Sequence, residues 1–272
     1  MDSMEEKEKK LEQLLESLGS AVIAFSGGVD SSYLLYKARR MLGDKALAVT
    51  AESETFPEHE KENALCMVQN LGAEHMLIKT DELSHSNFAD NPPQRCYYCK
   101  QELFTRLWKI ARKRGLRWVC DGANYDDRDD FRPGLRAAGE LGVRSPLMEA
   151  GITKEEIRIL SRKAGLQTWD MPSAACLASR IPYGETITGE KLRAVAQAES
   201  FLKTLGHKTV RVRCHQTMAR IEVPAEEVAT LAEKAEEIAA RLKQFGFSYV
   251  ALDLEGYRSG SMNEVLQEEE KK

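Results

Sequence analysis

Apolar residues along 4–18 return every three to four positions, with Leu11, Leu14, Leu15 and Leu18 on one face, and this spacing predicts an amphipathic helix. AVIAF (21–25) is a short unbroken apolar run, the pattern of a strand buried on both faces. SGGVDSS (26–32) interrupts it, and then Leu34, Leu35, Ala38 and Leu42 restore helical spacing. The order is strand, glycine turn, helix. It repeats: ALAVT (46–50) reads as a strand, 58–71 as a helix with Leu65, Val68 and Leu71 inward, and HMLIK (75–79) as a strand. A third round sets a helix over 100–114, on Leu103, Phe104, Leu107, Trp108 and Ala111, before a strand at WVCDG (118–122) and a helix at 153–164. Strands alternating with helices predict a parallel sheet wrapped on both faces.

The pattern changes after IPYG (181–184). A helix is expected over 189–205, on Leu192, Val195, Leu202 and Leu205. TVRVRCH (209–215) and ARIEV (219–223) alternate as half-buried strands around a short turn at Gln216–Thr217. A helix over 225–242 shows Val228, Leu231, Ala235, Ile238 and Leu242, and FSYVALDL (247–254) is a last strand. The expected architecture is α/β: a larger domain over 1–184 and a smaller α+β domain, with an antiparallel part, over 185–272. The terminal QEEEKK reads as a frayed tail.

The 272 residues give room for one large or two small domains. Hydrophobic residues at 42% and charged residues at 30% are ordinary for a globular chain. A net charge of −4 argues against a dedicated nucleic-acid binder, and Arg112–Arg114 read as an exposed basic helix end. No apolar run is long enough for a membrane span, and the charged start MDSMEEKEKKLEQL has no apolar signal core, so a cytoplasmic enzyme is expected. Six cysteines are too sparse for a disulfide scaffold and point toward metal or redox chemistry.

SGGVDSS stands where an open α/β sheet binds ligands, at the carboxyl end of its first strand. Gly27 and Gly28 let backbone N–H groups approach phosphate oxygens, and the helix behind them adds partial positive charge. Ser26, Ser31 and Ser32 can donate hydroxyl bonds. Asp30 repels phosphate and is better placed to hold a magnesium ion that bridges to it. The loop is neither a Walker A motif, since no lysine follows the glycines, nor a GxGxxG turn. It resembles the PP-loop, SGGxDS, of the ATP pyrophosphatase superfamily. That resemblance implies a PP-loop domain of the adenine nucleotide α-hydrolase kind, in which Ser26, Gly27, Gly28, Asp30, Ser31 and Ser32 cradle pyrophosphate. DGAN (121–124) resembles the superfamily's adenosine-side segment, with Gly122 giving close backbone approach.

RCYYCK (95–100) puts Cys96 and Cys99 at CxxC spacing, read as a loop just before a helix, and Cys176 lies in a second loop, PSAACLASR (172–180). Cys66, Cys120 and Cys214 sit on apolar faces and read as small buried hydrophobes. No second CxxC or HxxxH completes a closed zinc site. Three loop thiolates can instead hold a 4Fe–4S cluster with one iron open, or Cys176 itself can carry or donate sulfur.

SGGVDSS, DDFRPGLRA (129–137), PSAACLASRIPYG (172–184), TVRVRCH, ARIEVP and LDLEGYRSGSMNE (252–264) together resemble the LarE family over nearly the whole chain. The resemblance implies an ATP-dependent sulfur transferase of nickel-pincer nucleotide synthesis. Its substrate would be pyridinium-3,5-biscarboxylate mononucleotide, its cofactors ATP, Mg2+ and a 4Fe–4S cluster. It also implies a homo-oligomer and contacts with other proteins of that biosynthesis. Some members spend the sulfur of a single cysteine. Others carry three and use a cluster, and Cys96, Cys99 and Cys176 match the three-cysteine pattern.

Adenylation removes the negative charge that makes a carboxylate a poor electrophile. Lys100 and the loop amides can neutralise charge developing on the α-phosphate, and Arg211 and Arg213, alternating onto one strand face, can clamp the substrate phosphate with Arg180 beside them. A solvated arginine face with surface ion pairs is the plain alternative for that strand. Glu199 and Glu222 either pair with these arginines or bind a metal. Thiolation of a tRNA base is the competing function, and ATP-driven amidation and non-catalytic nucleotide sensing are further ones.

Overall fold

The computed structural model describes residues 3–56, 58–129, 132–172, 176–258 and 260–266. They form two compact units. Unit 1 comprises Met1–Ser53, Glu58–Thr80 and Cys96–Ala174, and unit 2 comprises Glu54–Pro57, Asp81–Arg95 and Ala175–Lys272.

Unit 1 begins with α1 (Met4–Leu18), whose first turn is closed by a capping box between Ser3 and Glu6. Gly19, at φ 72°, ends it and turns the chain into β1 (Ala21–Ala24). Then follow α2 (Val29–Leu42), β2 (Ala46–Glu52), α3 (Glu58–Leu71) and β3 (Glu74–Lys79). The one-turn helix α4 (Ser86–Ala89) falls in unit 2, and α5 (Arg95–Arg114) leads into β4 (Trp118–Cys120). Three helices complete the unit: α6 (Pro133–Glu140), α7 (Pro146–Glu149) and α8 (Lys154–Lys163), the last opened by a Thr153–Glu156 capping box.

The sheet order is β3-β2-β1-β4, with every pair parallel. Central β1 has Ala21, Val22 and Ile23 fully buried, as its unbroken apolar run requires. One face packs on α1, α2, α3 and α7 through Leu11, Tyr33, Leu34, Val68 and Leu147. The other packs on α5 and α6 through Phe104, Leu107, Ala111 and Ala138. The expected doubly covered parallel sheet is what the chain builds.

Unit 2 carries α9 (Gly189–Thr204), β5 (Arg211–His215), β6 (Met218–Glu222), α10 (Val228–Ala232), α11 (Ala235–Gln244) and β7 (Tyr249–Leu252). β5 and β6 pair antiparallel around Gln216, whose φ is 52°, and β7 adds parallel to β6.

Four expectations are corrected. The 100–114 helix starts five residues earlier, so Cys96 and Cys99 lie in its first turns rather than in a loop; Pro92 and Pro93 precede its start, and the backbone N–H of Arg95 bonds the Pro92 carbonyl at 2.9 Å. The 225–242 helix is broken into a 3-10 turn at Ala225–Glu227 followed by α10 and α11, and Ala235, expected inward, is exposed. Cys66 is exposed, while Cys120 and Cys214 are buried as expected. β5 is buried on both faces, not half-buried: Arg211 and Arg213 are 8% and 5% exposed. The helices at Pro133 and Pro146 have too few apolar residues to announce themselves by periodicity, and QEEEKK lies outside the described residues. No helix among the described residues is long and apolar enough to cross a membrane.

Candidate active site

The glycine loop joins β1 to α2 in unit 1. Gly27 has φ 74°, and a Cβ there would lie 2.8 Å from the Ala64 Cα on α3. Both the backbone angle and the space therefore demand glycine. Gly28 is the N-cap of α2, and no side chain caps that helix. Its leading N–H groups thus remain available to an anion. Gly122, just past β4, presses on the same turn: a Cβ there would stand 3.1 Å from the Ser31 N and 3.2 Å from its Cα.

The serines divide their work. The Ser26 and Ser31 hydroxyls lie 3.1 Å apart, and Ser31 Oγ also donates to the Gly28 carbonyl at 3.2 Å. Ser26 is exposed and Ser31 is 5% exposed. Ser32 is wholly buried, and its hydroxyl has no partner. Asp30 accepts from Lys154 Nζ at 2.5 Å on Oδ2, while its buried Oδ1 has no partner. An orphaned carboxylate oxygen beside a helix N-terminus fits a hard cation such as magnesium.

The segment after β4 supplies a second carboxylate. Asp127 accepts from the Asn124 N–H at 3.0 Å and pairs with Arg132 Nη2 at 2.9 Å. Burial pushes its carboxyl above the usual value, and the Asp30 charge adds to the rise. Lys154 donates its backbone N–H to Asp126 at 2.8 Å, which ties α8 to this segment. A cleft of about 620 Å³ opens beside Tyr125 and Arg128, with Lys7 and Lys10 on its wall. Asp127, Arg132 and Lys154 were not identified from sequence. The sequence placed a helix at 153–164 but gave no sign that its first lysine reaches the loop.

Lys100 lies on α5 with Nζ 5.5 Å from the Phe104 ring centre. Its charge counters the rise that burial imposes on the Asp121 carboxyl, so it stands within electrostatic reach of the end of β4. The CxxC helix is braced by α6: a Cβ on Gly134 would lie 3.0 Å from Lys100 Cγ, the Tyr97 hydroxyl donates to Glu140 at 2.5 Å, and Arg136 stacks over the Tyr97 ring. Cys96 and Cys99, three residues apart on a helix, share one face, the first exposed and the second half-buried.

In unit 2, Cys176 is exposed at the start of a 3-10 turn, Leu177–Arg180. Arg180 is 3% exposed and makes a two-pronged pair with Glu199, at 2.8 and 3.0 Å. Arg213 makes the same kind of pair with Glu222, at 2.9 and 2.7 Å. Glu222 also accepts from Arg220 at 3.1 Å, and Arg220 Nε faces Asp253 at 3.5 Å. The Arg211 guanidinium lies 5.5 Å from the Tyr257 ring centre, and burial together with Arg180 lowers its pKa. The arginine strand is therefore a buried ionic layer, not a solvated surface, and both glutamates are arginine partners.

Among the described residues no group of three or more His, Cys, Asp or Glu side chains stands together as a metal site. Soft thiolates paired on one helical face nonetheless fit two corners of an iron–sulfur cluster by donor chemistry.

Residues 3–112 match the NAD synthase family model. The chain is 39% identical to the pyridinium-3,5-bisthiocarboxylic acid mononucleotide synthase of Lactiplantibacillus plantarum, over 98% of this chain and 97% of that one. The chain belongs to the LarE family. It is also 45% identical to an uncharacterized protein of Synechocystis over 97% of this chain and 99% of the other. A lower likeness, 31% identity over 88% of this chain and 90% of the relative, joins this LarE chain to an uncharacterized protein of Methanocaldococcus jannaschii.

Proposed function

We propose that this LarE protein is an ATP-dependent sulfur transferase that adenylates the carboxylates of pyridinium-3,5-biscarboxylate mononucleotide and converts them to thiocarboxylates. The observation that carries the reading is the glycine loop: a helix N-terminus at Gly28 that no side chain caps, close backbone approach at Gly27 and Gly122, and an Asp30 oxygen without a partner. Supporting it is the likeness to the named synthase over nearly the full chain.

The loop amides, with Ser26 and Ser31, hold the ATP phosphates, and Asp30, whose Oδ1 has no partner, would hold a magnesium ion that offsets phosphate charge. Ser32, being buried, shapes the turn from behind. Lys154, Lys100 and the cations of the neighbouring cleft offset the negative charge of the triphosphate. The substrate carboxylate oxygen attacks the α-phosphorus and pyrophosphate departs. A sulfur nucleophile then adds to the acyl carbon of the mixed anhydride, and AMP leaves with the carboxylate oxygen. Arg211 and Arg213, with Arg180 beside them, supply the positive field for the substrate phosphate from a layer in which Arg180 and Arg213 are held by Glu199 and Glu222.

Cys96, Cys99 and Cys176 would hold a 4Fe–4S cluster, which would supply sulfur at the hydrosulfide level. Supporting this are the pairing of Cys96 and Cys99 on one helical face and the exposure of Cys96 and Cys176. The test is pyrophosphate and AMP release from MgATP on addition of the dicarboxylate mononucleotide. Release that needs the substrate is expected; ADP and phosphate as products, or no nucleotide cleavage, would remove the reading.

A further inference from the structure

Cys176 is exposed, yet the backbone that carries it is tied to the interior of unit 2. Its carbonyl accepts three bonds: from the Ser179 N–H at 2.9 Å, the Ser179 hydroxyl at 2.8 Å and Arg180 Nη1 at 3.2 Å. The next N–H, of Leu177, donates to the Thr55 carbonyl at 3.1 Å. Arg180 cannot swing, because its Nε and Nη2 are locked on Glu199, and Glu199 Oε1 also accepts the β5 N–H of Val212 at 3.1 Å. Arg213 closes the frame from the other side. It donates Nη1 to the Ser179 carbonyl at 3.0 Å while its other nitrogens are held by Glu222.

Buried ion pairs add little stability over apolar packing, so two of them beneath one four-residue turn call for a geometric explanation. The carboxylates are also well supplied. Each has one oxygen accepting two donors and the other accepting one, which leaves little lone-pair capacity for a metal.

We propose that Arg180–Glu199 and Arg213–Glu222 form a frame that positions Cys176, holding its thiol in fixed register with the arginine face of β5. Glu199 and Glu222 are positioning residues: they touch neither substrate nor sulfur and act through the arginines. The consequence for sulfur handling rests on the function proposed above; the frame itself does not.

The experiment uses the full chain with Glu199→Gln and Arg180→Lys, which stay close in size but break the two-pronged pair, and Ser179→Ala, which removes one donor to the Cys176 carbonyl from a partly exposed position. Hydrogen exchange across 177–181 and iodoacetamide labelling of Cys176 are read by peptide mass spectrometry, with exposed Cys66 in unit 1 as internal reference. The Ser179 amide is expected to exchange at least ~10-fold faster in Glu199→Gln and Arg180→Lys. Cys176 labelling should shift by ~3-fold or more while Cys66 labelling holds, with Ser179→Ala between wild type and these two. In turnover, Glu199→Gln should lower the kcat of sulfur transfer ~10-fold and move the KM for ATP by less than ~2-fold. Wild-type exchange and labelling in all three variants would overturn the frame, as would equal changes at Cys66 and Cys176, which mark general loosening. If wild-type protein transfers no sulfur, the functional reading fails, and exchange and labelling still decide the frame.

Discussion

Lys154 donates to Asp30 at 2.5 Å, so the loop acid is bound to a lysine 124 positions away, on the first turn of α8. Only one Asp30 oxygen is used, and the buried other has no partner. Asp30→Ala is expected to lower pyrophosphate release by ~100-fold or more while leaving the circular dichroism spectrum unchanged. Lys154→Met should raise the KM for ATP, because the lysine is held at the loop by a charge that magnesium can satisfy instead. Unchanged release in Asp30→Ala would remove the loop from the ATP site.

Gly27 and Gly122 separate stability from binding. Gly27→Ala combines a left-handed φ of 74° with a 2.8 Å approach to α3 backbone, which cannot retreat. It should cost about 2–4 kcal/mol in denaturant unfolding. Gly122→Ala meets Ser31 at 3.1 Å and needs a shift of only a few tenths of an ångström, but that shift falls on the nucleotide turn. Its loss should appear in ATP affinity more than in unfolding. Equal, small effects on unfolding would contradict the close approach at Gly27.

Much of unit 1 was legible because its signals are local. β1 has an unbroken apolar run, α1 has four leucines on one face, and the glycine loop sits between strand and helix. The ionic layer of unit 2 was only half legible: Glu199 and Glu222 stood out as partners for the arginines or for a metal, but alternation could not choose between these or say that the whole layer is buried. Nor does a linear pattern foresee that 54–57 and 81–95 join unit 2. Lys154 was hidden for the same reason, since its partner is set by tertiary approach, not spacing.

Acid should weaken unit 2 through Glu199. Burial alone would raise this carboxyl, but Arg180, with Arg211 behind it, holds it below the usual value of 4.5. A folded-state pKa below the unfolded one gives stability that is complete above about pH 4.5 and is lost as pH falls through the folded value. Glu199→Gln lacks that titration. It should be less stable than wild type at pH 7, by about 3 kcal/mol, with the gap narrowing below about pH 4.5. A constant gap from pH 7 to pH 3 in denaturant titrations would contradict the ionised pair.

The cysteines divide by exposure and placement. Cys96→Ala and Cys99→Ala should each remove iron and visible absorbance from anaerobically reconstituted protein, whereas exposed Cys66→Ser should leave both intact. Iron and absorbance that persist in Cys96→Ala would exclude that residue as a ligand.

The most direct measurement is anaerobic turnover with ATP, magnesium, sulfide and the dicarboxylate mononucleotide, followed by mass spectrometry of product and intact protein. Catalytic transfer from a cluster should give several thiocarboxylates per chain, AMP and pyrophosphate in step with them, and an unchanged protein mass. Product that stops at one sulfur per chain, with Cys176 converted to dehydroalanine, would contradict it.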